Sequence, residues 1–237
     1  HSIGVRILEG YGLTETSPVI SVNGFAGGKT RLGTVGQVIS NVEAKIAEDG
    51  ELCVKGPSVM KGYWNLPDKT AEVFDADGFF LTGDLAEIDE DGFIRITDRK
   101  KDLIVTAGGK NIAPQPIEAE LKRSPLVDNA VIIGDRRPFL VVLLSPNTEA
   151  LEAWAKTEGI AYTSTEEIIR HPKLVEAFAT VVETTNENLA SYEQIKKHSV
   201  LPLMLSIDDG TLTPTLKVKR RVVEKQYLDL IESLYEG

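Results

Sequence analysis

Four short stretches combine reactive side chains with residues that shape the backbone. The first is Tyr11-Gly12-Leu13-Thr14-Glu15-Thr16. Its glycine lets backbone approach a flat or charged ligand. Tyr11 could stack on a base, Thr14 offers a hydroxyl, and Glu15 offers a hard oxygen for magnesium. The plain alternative is a polar turn with an N-cap threonine. The second is Thr82-Gly83-Asp84, where an aspartate after a strand end can accept from two ribose hydroxyls or simply cap a turn. The third, Asp98-Arg99-Lys100-Lys101-Asp102, alternates charge as a solvated surface segment does. The fourth is Leu212-Thr213-Pro214-Thr215-Leu216-Lys217-Val218-Lys219-Arg220-Arg221. A lysine on a mobile loop reaches phosphate as a point charge. The alternative is a basic first turn of the terminal helix, which would oppose the helix dipole. That mismatch favours a ligand or partner.

These stretches need elements to hold them. Val5 to Leu8 and Val19 to Val22 are apolar runs on either side of the first. Gly24, Gly27 and Gly28 mark a loop after the second run. Glu51 to Lys55 reads as a strand, and Leu85 to Thr97 as a hairpin turning on Asp89-Glu90-Asp91-Gly92. Pro67 starts a short helix over Asp68 to Val73. Beyond Arg99 the texture changes. Asp102 to Val105 reads as a brief strand, Gly108-Gly109 as a turn, and Pro116 to Leu121 as a helix start. Val131 to Ile133 and Leu140 to Leu144 suit sheet strands. Leu174, Val175, Phe178, Val181 and Val182 share one helix face, and Val223, Tyr227, Leu230, Ile231 and Leu234 repeat the spacing. The expected fold is α+β: a β-rich, barrel-like module over residues 1–99, then a small α+β module over 100–237, with the boundary near Asp98 to Lys101.

Composition narrows the classes. The 237 residues are 42% hydrophobic and carry a net charge of -10. That argues against nucleic-acid binding and against electrostatic docking on anionic lipid. No apolar run reaches the ~18 residues of a membrane span. Cys53 is the only cysteine, so no intrachain disulfide forms, as suits a reducing cytosol. It reads as a small core hydrophobe, and Trp64 and Trp154 as packing residues. His1, His171 and His198 are too few for a convincing triad or metal site, and His171 and His198 fall in helix-rich sequence.

Taken in order, the motifs resemble the adenylate-forming superfamily of acyl-CoA synthetases, peptide-synthetase adenylation domains and beetle luciferases. The resemblance runs through Glu9 to Thr16, Gly50 to Pro57 with Met60, Gly62 and Tyr63, Thr82-Gly83-Asp84, Arg99 to Ile112, and Thr213 to Arg221. Asp98 to Asp102, Leu212 to Arg220 and the helical segment around Leu174 to Leu189 look like the long-chain fatty acyl-CoA synthetase branch. Most other branches carry glycine where Leu216 stands. The family's phosphate loop lies well upstream of the tyrosine-glycine motif. The resemblance therefore implies the C-terminal part of a longer enzyme, inactive by itself.

By position, the resemblance implies that Tyr11 and Gly12 flank adenine, Thr14 contacts the α-phosphate and Glu15 binds magnesium. Asp84 and Arg99 would hold the ribose, and Lys101 would be the hinge. Lys217 would bridge carboxylate and phosphate, and Gly108 and Gly109 would enter the site for thioester formation. Some relatives carry a further lysine where Val105 stands, and that role is not transferred. The implied substrates are a fatty acid, ATP with Mg2+, and coenzyme A. The implied location is cytoplasmic, with peripheral membrane contact left open. A branch acting on aryl or amino acids, and a non-catalytic nucleotide-binding or docking module, remain alternatives.

Overall fold

The structure, a computed structural model, describes residues 7–24 and 29–236. Part of the Val5 to Leu8 run, and Gly27 and Gly28, lie outside the described residues. The chain divides into two compact units, 1–102 and 103–237.

The first unit is built from two antiparallel sheets. Strands β1 (Gly10–Gly12), β2 (Val19–Val22) and β3 (Gln37–Val38) pair in that order. Strands β4 (Glu43–Ile46), β5 (Glu51–Lys55), β6 (Phe80–Ile88) and β7 (Ile94–Arg99) form the second sheet. A bridge from Gln37 to Phe93, and the bonds Val35 N to Ile94 O and Ile94 N to Gly36 O, join β3 to the edge strand β7. The two sheets thereby curl around one core of Ile20, Leu52, Val54, Phe80, Ala86 and Ile94. The expected hairpin is present: Asp89 Oδ1 accepts from the amides of Asp91 and Phe93 and shapes the turn between β6 and β7. Helix α1 covers Pro67–Ala71, with proline in its first turn.

The second unit is layered. Its sheet has β10 (Val127–Ile133) antiparallel to β11 (Leu140–Pro146), and β11 parallel to β12 (Ile195–Val200). Alternate residues leave by opposite faces, and both faces are covered. Ala130, Ile132, Val142 and Leu144 pack under α2 (Pro114–Leu121), α3 (Thr148–Thr157), α4 (Thr165–Arg170) and α5 (Pro172–Asn186). Val131, Ile133, Val141 and Leu143 meet Leu201, Leu205, Leu212, Val223 and Ile231. Double burial explains why these strands are unbroken apolar runs rather than alternating ones. A short hairpin, β8 (Ile104–Val105) and β9 (Asn111–Ile112), closes on the Gly108-Gly109 turn.

Several readings of the sequence need correction. Asp102 is not in a strand, because Lys100–Asp102 forms a 3-10 turn and β8 begins at Ile104. Val175 is 49% exposed, because the buried stripe of α5 is the narrower set Leu174, Phe178, Val182 and Thr185. The C-terminal pattern is two helices, α6 (Arg220–Gln226) and α7 (Leu228–Tyr235), broken at Tyr227 without proline or glycine. Trp64 is 89% exposed rather than packed, whereas Trp154 does pack on the core. His198 lies on strand β12 rather than a helix. His171 caps α5, its Nδ1 accepting from Lys173 N at 3.3 Å.

Candidate functional site

The centre of the first unit's polar cluster is Asp84, 4% exposed. A bulge puts it there. Against β5, Glu51 pairs with Leu85 and Cys53 with Leu81, so Thr82-Gly83-Asp84 stands out from the ladder. Gly83 takes φ +73°, which suits glycine. The Thr82 hydroxyl donates to Leu52 O of β5 at 2.7 Å and accepts from Asp84 N at 3.1 Å, tying the bulge to its neighbour and closing it on itself.

Asp84 faces Arg99 directly across the β6–β7 ladder. Arg99 Nε donates to Asp84 Oδ1 at 2.7 Å, and the Tyr11 hydroxyl donates to Oδ2. Burial, and then the neighbouring carboxylate, push the Tyr11 phenol well above its ordinary range. The same carboxylate raises the Arg99 guanidinium. Only the Nε of Arg99 is engaged with Asp84, and the side chain is 42% exposed, so its outer nitrogens remain available to a ligand.

Tyr11 reaches Asp84 because the β1–β2 pairing is irregular at this point, with Tyr11 opposite Ser21 but Gly12 opposite Val19. A Cβ on Gly12 would stand 1.6 Å from Pro18 O. The close approach that requires this glycine is therefore made by the chain itself. Buried Thr16 fastens the loop: its hydroxyl donates to Pro18 O at 2.6 Å and accepts from Leu13 N at 2.9 Å. Thr14 to Thr16 is a 3-10 turn with Leu13 at its N-cap, so no threonine caps it. Thr14 is exposed and Glu15 half-buried. The Tyr63 hydroxyl donates to Glu15 Oε1 at 3.1 Å, and Met60 N to Glu15 O at 2.7 Å.

Glu15 suits magnesium in one respect. Among the described residues nothing donates to its second carboxylate oxygen, which is a hard donor. Among the described residues no group of three or more His, Cys, Asp or Glu side chains could hold a metal alone. A magnesium ion carried on nucleotide phosphates needs only one or two carboxylates. A recess of about 360 Å³ adjoins this point, lined in part by Leu13, Glu15, Tyr63, Gly83 and Arg99. Lys101 is exposed, in the 3-10 turn after β7.

Gly108, Gly109 and Lys217 belong to the second unit. Gly109 turns the β8–β9 hairpin with φ +73° and open space around it. Lys217 is exposed at the end of a tight hairpin in which Leu212 pairs with Val218 and Leu216 N donates to Thr213 O at 2.8 Å. It is not in the first turn of a helix, since Lys219 is only the N-cap of α6. Leu216 has φ +60°, the conformation glycine prefers, which accounts physically for glycine being the common residue there. The basic tract is not uniform. Arg220 pairs with Glu118 Oε1 at 2.8 Å and donates to Ile132 O at 2.5 Å, while Ile132 N donates to Glu118 at 2.8 Å. These two side chains cover the open edge of β10.

Tyr11 and Arg99 thus both touch Asp84, and Glu15 is held by Tyr63. Sequence reasoning gave no role to Tyr63, Thr16, Glu51 or Lys100. Glu51 was legible only as one of the two charged ends, with Lys55, of a strand whose middle is apolar.

The two mixed units, with an acid–arginine pair on a bulged strand, have the fold of adenylate-forming proteins. Solved structures agree: the adenylation domain of a carboxylic acid reductase from Segniliparus rugosus, in complex with AMP and a co-purified carboxylic acid, matches with TM-score 0.71 and 25% identity, covering 98% of this chain and 35% of that one. ATP-bound MatB from Rhodopseudomonas palustris matches with TM-score 0.69 and 29% identity over 96% of this chain and 42% of that one. The family model for the AMP-binding enzyme C-terminal domain matches residues 101–237, and that for the AMP-binding enzyme matches 1–64, so the chain belongs to the AMP-binding enzyme family. Long-chain-fatty-acid--CoA ligase FadD15 of Mycobacterium tuberculosis (strain ATCC 25618 / H37Rv) is 42% identical over 98% of this chain and 38% of its own length. Human long-chain-fatty-acid--CoA ligase ACSBG1 is 35% identical over 99% of this chain and 35% of its own. The chain therefore spans well under half the length of these relatives. No helix among the described residues is long and apolar enough to cross a membrane.

Proposed function

We propose that this chain supplies the ribose-side and mobile-lysine part of an ATP-dependent, AMP-forming long-chain fatty-acid–CoA ligase. The observation that carries the reading is the buried Asp84 carboxylate, shared between Tyr11 and Arg99 at the bulge of β6. Its remaining lone pairs and the free nitrogens of Arg99 suit vicinal hydroxyls of a ribose. The 42% identity to a fatty-acid–CoA ligase over nearly the whole chain supports the substrate class.

The reaction has two steps. A fatty carboxylate oxygen attacks the α-phosphorus of ATP, and the α–β phosphoanhydride bond breaks to release pyrophosphate. The coenzyme A thiol then attacks the acyl carbon, and AMP leaves with the electron pair of the mixed anhydride. Asp84 and Arg99 fix the ribose, and Tyr11 and Gly12 border the base. The Thr14 hydroxyl meets the α-phosphate, and Glu15 would hold magnesium, which when bound would neutralise charge on the phosphate oxygens. Lys217 meets charge that grows on phosphate during the first step. Lys101 is the pivot, and the Gly108-Gly109 turn serves the thiol step.

A chimera tests this. This chain replaces the matching part of FadD15, and palmitate-dependent pyrophosphate release and palmitoyl-CoA formation are measured. Both are expected, and Asp84→Ala should abolish most of the first. A folded chimera that releases no pyrophosphate overturns the reading. In parallel, millimolar AMP added to the 237-residue chain should shift the amide resonances of Gly83, Asp84 and Arg99.

A further inference from the structure

A second polar network lies beside Asp84 and takes no part in the chemistry above. Glu51 opens β5, and its side chain is only 5% exposed. A carboxylate withdrawn from water is costly unless it is paired and hydrogen-bonded. Both of its oxygens are engaged: Gly83 N donates to Oε1 at 2.8 Å, and Lys100 Nζ to Oε2 at 2.7 Å. Lys100 Nζ also stands 2.5 Å from Asp49 Oδ2. The two carboxylates, Asp49 first, hold this ammonium well above the usual lysine range.

The positions of the two donors matter. Gly83 precedes Asp84 in the bulge, and Lys100 follows Arg99 at the end of β7. One buried carboxylate therefore ties the segment that presents Asp84 to the segment that presents Arg99. The Asp49 arm joins two half-exposed groups and contributes little. The Glu51 arm differs, because losing Lys100 leaves a buried charge with one donor where it had two. A Cβ at 83 would meet no atom within 4 Å, so this residue is held through its amide rather than by packing.

We propose that Lys100 is a positioning residue of the nucleotide site: with Glu51 it clamps the Gly83 bulge to the end of β7, so that Asp84 and Arg99 meet a ribose as one preorganised pair. This rests on the reading of Asp84 and Arg99 given above. The clamp also fixes the chain as far as Lys100, so that bending at a pivot would begin with Lys101.

The test uses the 237-residue chain, with amide hydrogen exchange and AMP titration followed by NMR. Lys100→Met should speed exchange of the Gly83 amide and weaken AMP binding about five- to tenfold, less than loss of a direct charged contact. Lys100→Arg keeps a cation that can reach both carboxylates, and should restore both readouts to within about twofold. Adding Glu51→Gln to Lys100→Met should weaken AMP binding no further, since the two residues act as one unit. Equal AMP affinity in wild type and Lys100→Met overturns the proposal, as does failure of Lys100→Arg to rescue. If wild type gives no AMP-induced shifts while Lys100→Met still speeds Gly83 exchange, the clamp is a structural tie only. In that case the ribose reading of Asp84 and Arg99 fails with the positioning role, and the separate exchange readout identifies that as the cause.

Discussion

Replacing Asp84 by asparagine preserves shape and removes the charge that Tyr11 and Arg99 share. The Arg99 arm is half-exposed, so solvent screens much of its value, which is about 0–1 kcal/mol for open pairs. The Tyr11 arm is a hydrogen bond to a charged acceptor in a buried setting, of order 1.5–3 kcal/mol. Asparagine retains one acceptor oxygen but turns a donor toward one of its two partners. The first unit should therefore lose about 2 kcal/mol at neutral pH. Two units can unfold separately, so urea denaturation is best followed through resonances of the first unit. Alkaline pH gives an independent check. In the wild type Tyr11 is held neutral above the range of an unfolded tyrosine, first by burial and second by Asp84. Its contribution is complete below about pH 10 and is lost as pH rises toward the raised value. In Asp84→Asn the burial part remains and the Asp84 part is gone, so the alkaline decline should be shallower. A variant within about 0.5 kcal/mol of wild type, with an unchanged alkaline slope, would refute the account.

The other predictions concern packing, backbone and Lys217. Phe178→Ala empties a fully buried site between α5 and the sheet and should cost about 3–5 kcal/mol in the second unit by denaturant titration. Gly12→Ala must displace Pro18 and should lower the first unit's melting temperature clearly, whereas Gly109→Ala meets no atom and should cost only the left-handed strain of about 1–2 kcal/mol. Leu216→Gly should relieve strain of the same kind at the Lys217 hairpin, and a rise in the second unit's stability would show it. In the FadD15 chimera, Lys217→Ala should slow acyl-adenylate formation about 10²–10³-fold while conversion of supplied acyl-adenylate to acyl-CoA persists. Equal losses in both half-reactions would make Lys217 one charge in a general basic patch.

How much of this was legible depends on how each feature is encoded. The doubly buried strands β10 and β11 show as apolar runs, and the β6–β7 hairpin shows through its Asp–Gly turn. Both signals are local. Strand β12 was missed because Ile195-Lys196-Lys197-His198-Ser199-Val200 is an edge strand. Polar residues suit an edge, and its register comes from β11, more than fifty residues earlier. The break at Tyr227 has no proline or glycine to announce it. Val175 was misplaced because a position adjacent to the buried stripe looks apolar whether it faces the core or solvent.

The same distinction separates the parts of the site. Tyr11, Asp84 and Arg99 were found as motif residues, yet their contact depends on two register irregularities, at Tyr11/Gly12 and at Thr82 to Asp84, which no local pattern displays. Glu51 and Lys100 are harder still. One was a charge at a strand start with no role assigned to it, the other one of several cations in a surface-like run. The tie between them spans 49 residues and exists because β5 and β7 both flank β6 in one sheet. A buried carboxylate needs partners, and only topology decides which cation answers it. In this chain the partner is the residue next to Arg99, so one ion pair ties the start of β5 both to the segment that carries Asp84 and to the segment that carries Arg99.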